Sequence, residues 1–158
     1  EQIFRYLALT RYSIGTSNGA VQVVRSYWKS KGLPIEQLFM YDGCGLSPLD
    51  AVSSNFFVNL LIYMQTISPN KEALPVSGKS GTLTNFLQRT PLQGKVHAKS
   101  GTISGVKCYA GFIENNSKTS VFAILVNHAN GTSKAVTRKI EEFLLQVSLN
   151  GGTKSKHK

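Results

Sequence analysis

Val96-His97-Ala98-Lys99-Ser100-Gly101-Thr102, Lys107-Cys108-Tyr109-Ala110-Gly111-Phe112-Ile113-Glu114 and Ser120-Val121-Phe122-Ala123-Ile124-Leu125-Val126-Asn127 are three β-prone runs in close succession. Asn115-Asn116-Ser117 offers turn chemistry between the last two. Such short breaks join antiparallel neighbours, because a parallel crossover needs about a dozen residues or more.

Outward from the strands, helical spacing takes over. From Glu1 to about Tyr12 the apolar residues Ile3, Phe4, Leu7 and Ala8 recur at helical spacing, with no Ser, Thr, Asp or Asn ahead of them as a cap, so the chain is expected to open inside a helix. A second helix is predicted from about Gly19 to Lys31, capped by Asn18, striped with Val23, Val24, Tyr27 and Trp28, and stopped by Gly32-Leu33-Pro34. Ser47-Pro48-Leu49-Asp50 predicts the start of a third. Ser47 is its expected cap and Pro48 its first position, with Val52, Phe56, Leu60, Tyr63 and Met64 on the buried face. Thr66 to Gly94 holds three prolines and little periodicity, which reads as an extended loop with a short helix near Leu83 to Gln88. Ser133 is the expected cap of a last helix carrying Val136, Ile140, Phe143, Leu144 and Val147. Helices, then antiparallel strands, then a helix make an α+β arrangement: a sheet of about three strands packed with helices.

A chain of 158 residues, 41% of them hydrophobic, is enough for one core. Residues 1–149 are expected to form part of a single domain. Residues 150–158, with Lys154, Lys156 and Lys158 among Gly and Ser, read as a basic flexible tail. The longest apolar runs, such as Phe122 to Val126, fall far short of a membrane span. The net charge of +10 raises an anionic polymer as partner, but the basic residues are scattered from Arg5 to Lys139, which disfavours nucleic acid. Cys44 and Cys108 have neither CxxC nor His spacing, which disfavours zinc; two buried thiols are favoured over one disulfide.

Chemistry concentrates in Lys99-Ser100-Gly101-Thr102-Ile103. Lys99 brings positive charge, Ser100 a hydroxyl donor suited to a carboxylate, and Gly101 an absent side chain that opens the strand edge to a peptide. The same tripeptide occurs as Lys79-Ser80-Gly81, read as a loop coincidence because Pro and Gly surround it and no β-prone hairpin follows. It is not a P-loop, since Ala73 stands where the first glycine is required. His97 and His128 lack partners at catalytic spacing and read as strand-end or core-edge residues.

Read in order, Asp42-Gly43-Cys44-Gly45-Leu46-Ser47, Leu74-Pro75-Val76-Ser77-Gly78 with Gly81-Thr82-Leu83, Ala98-Lys99-Ser100-Gly101-Thr102, Tyr109-Ala110-Gly111-Phe112 and Val126-Asn127 resemble the class C, low-molecular-mass penicillin-binding D-alanyl-D-alanine carboxypeptidases. The resemblance implies the C-terminal part of a penicillin-binding/β-lactamase-like domain. It implies catalytic roles for Lys99 and for the backbone N–H of Thr102, one of two oxyanion donors. Ser100 and Gly101 would bind substrate, and Leu46 and Ile103 would line its apolar pocket, a loop-packing role being the equal alternative for those two. Cys44 stands where the family usually has serine and is expected to be small and buried. The substrate implied is a peptidoglycan stem peptide ending in D-Ala-D-Ala, cleaved through an acyl-enzyme outside the cytoplasm. The resemblance implies that β-lactams acylate the family's nucleophilic serine, and no metal or organic cofactor is implied.

Of the family's three motifs, Ser-x-x-Lys, Ser-x-Asn and Lys-[Ser/Thr]-Gly, only the third stands in its proper place. Ser26 to Lys29, Ser68 to Lys71 and Ser155 to Lys158 match the first by letter, and Ser53 to Asn55 and Ser68 to Asn70 the second. Position in the chain argues against each, so the nucleophile and the true Ser-x-Asn are expected to precede Glu1. On this topology the strand at Ser120 to Asn127 should have one free edge, open to the missing N-terminal part of the domain or to self-association. A non-catalytic wall-binding or scaffold module and a basic nucleic-acid-binding domain are the competing functions.

Overall fold

The computed structural model describes residues 1–67, 71–115 and 118–150. The expected tail beyond Asn150 and the turn residues 116 and 117 lie outside the described residues. The chain divides into two compact units, Glu1–Leu60 and Leu61–Lys158.

In the first unit, helices α1 (Gln2–Tyr12) and α2 (Ser17–Ser30) pack as a hairpin on Phe4, Ala8 and Ala20, with Val21, Val24 and Met40 alongside. The cap of α2 is Thr16, whose side chain accepts the Gly19 N–H at 3.1 Å, and not Asn18. A hydroxyl three residues before the N–H it accepts has the right reach, and Asn18 already lies inside the first turn.

Two strands of two residues each, β1 (Leu38–Phe39) and β2 (Ala51–Val52), pair antiparallel. The third helix therefore starts later than expected: α3 spans Ser54–Ile67, and Ser53 caps it by accepting the Phe56 N–H at 3.0 Å. Ser47 and Pro48 are not its start. Asp42 takes the Ser47 N–H, Asp50 takes the Tyr41 N–H, and the Ser47 hydroxyl takes the Leu49 N–H, so the backbone that would nucleate a helix is held in a loop.

The second unit is built on an antiparallel sheet of order β3-β4-β5: β3 (Val96–Ile103), β4 (Val106–Asn115) and β5 (Lys118–Asn127). The expected strands are present, each within about two residues of its predicted ends. Pairing is regular throughout, with Ala98 opposite Gly111, Ser100 opposite Tyr109 and Thr102 opposite Lys107. Helix α4 (Ser133–Asn150) buries Ile140 and Leu144 in the core that also holds Leu83, Phe86, Val96, Ala98, Tyr109 and Ile113. Phe86 stacks on Tyr109 with ring centroids 4.4 Å apart. Phe143 and Val147, expected on the apolar stripe, are 53% and 47% exposed, so the buried face of α4 is narrower than the sequence suggested. The side chain that caps it is Thr132, accepting the Ala135 N–H at 3.2 Å, in place of Ser133.

Of the expected loop, Thr66 and Ile67 belong to the end of α3, and residues 71–94 are largely irregular, with 3-10 turns at Lys71–Ala73 and Gly81–Leu83 where a short helix had been expected slightly later. This segment anchors through buried Leu83, Phe86, Leu87 and Leu92. Among the described residues β5 has β4 as its only strand neighbour, as the expected topology requires.

Candidate active site

Strand β3 has two kinds of outer edge. Along its first half Pro75–Ser77 is stitched to it: Ser77 donates its N–H to the Val96 carbonyl at 2.9 Å, and Ala98 donates to the Pro75 carbonyl at 3.0 Å. Val76 bridges His97 in between. The Ser77 hydroxyl completes the join, donating to the Leu92 carbonyl and accepting the Val96 N–H.

From Lys99 onward no described strand covers that edge. Backbone groups alternate sides along a strand with a period of two. Since the Ala98 N–H points outward to Pro75, those of Ser100 and Thr102 point to the same side. The open half of the edge therefore presents two N–H donors, beginning where the covered half stops.

The side chains there are placed as follows. Lys99 is exposed, and its Nζ donates to the Ser100 carbonyl at 2.5 Å, which holds the ammonium along this edge. The Ser100 Oγ donates to the Thr82 Oγ1 at 2.8 Å. Gly101 lies opposite Cys108, whose thiol is pushed up from its ordinary pKa chiefly by burial, so it stays protonated and unreactive. The Thr102 hydroxyl accepts from Lys107 Nζ at 2.8 Å. Ile103 is half-buried and, with Thr102, Val106, Lys107 and Val136, lines a cavity of about 70 Å³ at the hairpin tip.

Lys99, Ser100, Gly101, Thr102 and Ile103 are thus brought together on one strand. Leu46 belongs to the first unit, on the loop after Asp42, and is 73% exposed. In that loop the Asp42 carboxylate accepts the N–H groups of Cys44, Gly45, Leu46 and Ser47. The backbone turns inward and leaves side chains outside. Cys44 is accordingly exposed, a correction to the buried thiol expected there, and both cysteines are free.

Desolvation alone would raise the Asp42 pKa, but the bonds from Gly45, Ser47, Cys44 and Leu46 together pull it from 3.8 to about 2. Burial, and to a lesser degree its Asp42 neighbour, raises Asp50. Because the folded pKa of Asp42 is depressed, its stabilisation of the loop is complete above about pH 4 and is lost as the pH falls from there towards 2. Amide exchange at Gly45 and Ser47 is therefore expected to accelerate over that window, relative to amides in α2, once corrected for intrinsic pH dependence. Protection unchanged down to pH 2 would refute this. The Glu1, Asp42 and Cys44 ligand atoms lie within 4.8 Å of one another, but both carboxylates are already occupied by N–H and O–H donors.

Of the letter matches to the other motifs, Ser53 and Asn55 are spent on structure: Ser53 caps α3, and both side chains donate to Gln37 Oε1. Ser26 is exposed on α2, while Ser68 and Ser155 lie outside the described residues. His97 is buried on β3 with its Nδ1 lacking a partner among the described residues, a core-edge histidine as expected. The sequence reading missed the roles of Pro75–Ser77 and Thr82. A proline has no N–H to leave unpaired and so suits the rim of a sheet, which is the one local signal at Pro75.

Residues 1–147 match the D-Ala-D-Ala carboxypeptidase 3 (S13) family. The chain belongs to that family. A D-alanyl-D-alanine carboxypeptidase of Actinomadura sp. (strain R39) is 30% identical over 142 residues, 83% of this chain and 26% of its own length. The D-alanyl-D-alanine carboxypeptidase DacB of Haemophilus influenzae is 26% identical over 150 residues, 88% of this chain and 31% of its own. Among solved structures, penicillin-binding protein 4 of Haemophilus influenzae, complexed with a β-lactam, superposes with a TM-score of 0.82 at 22% identity, over 92% of this chain and 37% of that one. That likeness establishes an α+β fold of the penicillin-binding type for this member of the S13 family. The chain spans about a quarter to a third of the length of the curated relatives it matches.

Proposed function

We propose that residues 1–149 are the C-terminal part of the catalytic domain of a serine-type D-Ala-D-Ala carboxypeptidase that acts on peptidoglycan stem peptides outside the cytoplasm and is acylated by β-lactams. The observation that carries this reading is the half-open edge of β3.

With the Thr102 N–H at the reacting carbonyl and the Ser100 hydroxyl at the substrate carboxylate, a bound peptide runs antiparallel to β3 with its C-terminus towards Ala98. There Pro75–Ser77 already occupies the edge. The cleft ends where a chain terminus should lie, which suits removal of a C-terminal residue. Lys99 places its charge beside the reacting centre, and Gly101 keeps the edge clear. Ile103, half-buried at the hairpin tip, contacts the penultimate residue. The family membership supports the same activity. A net charge of +10 suits an anionic wall polymer, and among the described residues no helix is long and apolar enough to cross a membrane.

The nucleophile and its lysine come from outside these 158 residues, and the strand that pairs with the free side of β5 comes either from the rest of the domain or from a second copy. Native mass spectrometry of the 158-residue chain after incubation with benzylpenicillin tests both points. The expected result is no covalent adduct, and either a self-associated species or a complex with a separately supplied N-terminal part. A stoichiometric adduct on Ser26, Ser68 or Ser155 would show that the nucleophile is within the chain, and a monomer that ignores the N-terminal part would refute the edge pairing.

A further inference from the structure

We propose that Thr82 is a positioning residue for carboxylate recognition: it holds the Ser100 hydroxyl on the open edge of β3 and, when a carboxylate arrives, feeds a hydrogen bond into it. The proposal rests on the reading of Ser100 given above, and deepens it. Ser100 Oγ donates to Thr82 Oγ1 at 2.8 Å. A hydroxyl has one donor and two acceptor sites, so the pair can reverse direction without any covalent change. Facing a carboxylate, Ser100 turns its hydrogen to the anion. The Thr82 hydrogen then turns to the Ser100 oxygen, leaving a chain Thr82 O–H to Ser100 O–H to carboxylate, in which each bond polarises the next.

Such a relay works only if Thr82 cannot drift, and its surroundings hold it. Leu83, next in sequence, is fully buried, and its carbonyl accepts the Gly78 N–H at 2.9 Å. Before it, Gly81 has φ +53, a conformation that side chains resist, and it lies against Pro75: a Cβ there would meet Pro75 Cγ at 3.1 Å. Pro75 is in turn bonded to Ala98 of β3. Thr82 is therefore registered to the strand twice, through Pro75 at Ala98 and through its own hydroxyl at Ser100. Without it the Ser100 hydroxyl would be free to rotate into solvent.

The test uses the longer polypeptide that carries the nucleophile, comparing acylation by benzylpenicillin, which bears the carboxylate, with acylation by its methyl ester, which does not. Thr82→Val is expected to slow acylation by the acid about tenfold and leave the ester within about twofold; Thr82→Ser, which keeps the hydroxyl, restores the acid rate. Ser100→Ala lowers the acid rate too, and adding Thr82→Val to it lowers the rate little further. If Ser100→Ala slows the acid and Thr82→Val does not, the proposal is overturned while the reading of the site stands. A Ser100→Ala enzyme as fast as wild type would overturn the reading itself. Equal loss with acid and ester would make Thr82 merely structural, and Thr82→Ala supplies the same comparison should the valine variant fold poorly.

Discussion

On the reading proposed above, replacing Lys99 by alanine in the longer polypeptide that carries the nucleophile is expected to slow acylation by benzylpenicillin on the order of 100-fold or more, because a positive charge beside the developing oxyanion is lost. Lys79→Ala, in the second copy of the tripeptide, should leave the rate within about twofold. Letters alone do not separate the two copies; their surroundings do. In the Lys99 copy the ammonium lies along an open strand edge and the serine hydroxyl donates to Thr82. In the other copy each group serves a turn. Ser80 Oγ accepts the Val76 N–H, Gly81 supplies a positive φ, and the Lys79 side chain lies over Gly94, where a Cβ would come within 2.7 Å of its Cε. Stopped-flow or gel-based acylation rates for both variants check this. Equal losses, or a larger one at Lys79, would move the site away from β3.

How much of this was legible in the sequence follows from how local each feature is. The three strands declared themselves because Val96–Ile103, Val106–Asn115 and Lys118–Asn127 pair with sequence neighbours, so pattern and turn chemistry agree. The caps were legible only to within a few residues. Thr16, Ser53 and Thr132 replaced Asn18, Ser47 and Ser133, since a cap is fixed by which oxygen reaches a free N–H. At Ser47 the error came from Asp42, whose carboxylate gathers four N–H groups and overrides the local Ser-Pro signal. The pairing of β1 with β2 escaped notice, because two-residue strands carry no periodicity to read.

The site divides along the same line. Lys99 to Ile103 could be named because they are contiguous. The blocked half of their edge could not, because Pro75–Ser77 reaches β3 from some twenty residues upstream across a segment without periodicity. Yet that blockage gives the strand its directional meaning. An edge open along its whole length would take an extended peptide in any register, whereas one closed up to Ala98 leaves an opening that begins at Lys99. Thr82 was hidden in the same way, its hydroxyl meeting Ser100 only after the 75–83 segment has folded back.

Two glycines of the β3–β4 hairpin should respond oppositely to the same substitution. Gly111 lies opposite Ala98, and a Cβ built on it would sit 2.1 Å from the His97 carbonyl oxygen and 2.6 Å from the Ala98 Cα. Both are backbone atoms of a strand fixed on its other side by Pro75–Ser77, so neither can yield without breaking the register that places Lys99 and Ser100. Gly111→Ala is therefore expected to cost about 3 kcal/mol, the upper part of the range for overpacking, and to lower the melting midpoint of the longer polypeptide by roughly 3 °C, the shift per kcal/mol falling as chain length grows, or prevent soluble expression. Gly101 is different. The nearest atom a Cβ would meet there is Cys108 Cβ at 3.7 Å, an ordinary contact. Gly101→Ala should melt within about 1 °C of wild type, at the scale of a change with no named destabilising mechanism, and lose acylation rate, because on the proposed reading the new methyl stands where the substrate approaches the edge. Thermal melts and acylation rates on the two variants separate the roles. A Gly111→Ala enzyme that melts with wild type would mean that β3 and β4 are not so closely apposed at Ala98, and a Gly101→Ala enzyme acylated at the wild-type rate would mean that the substrate does not lie on this edge.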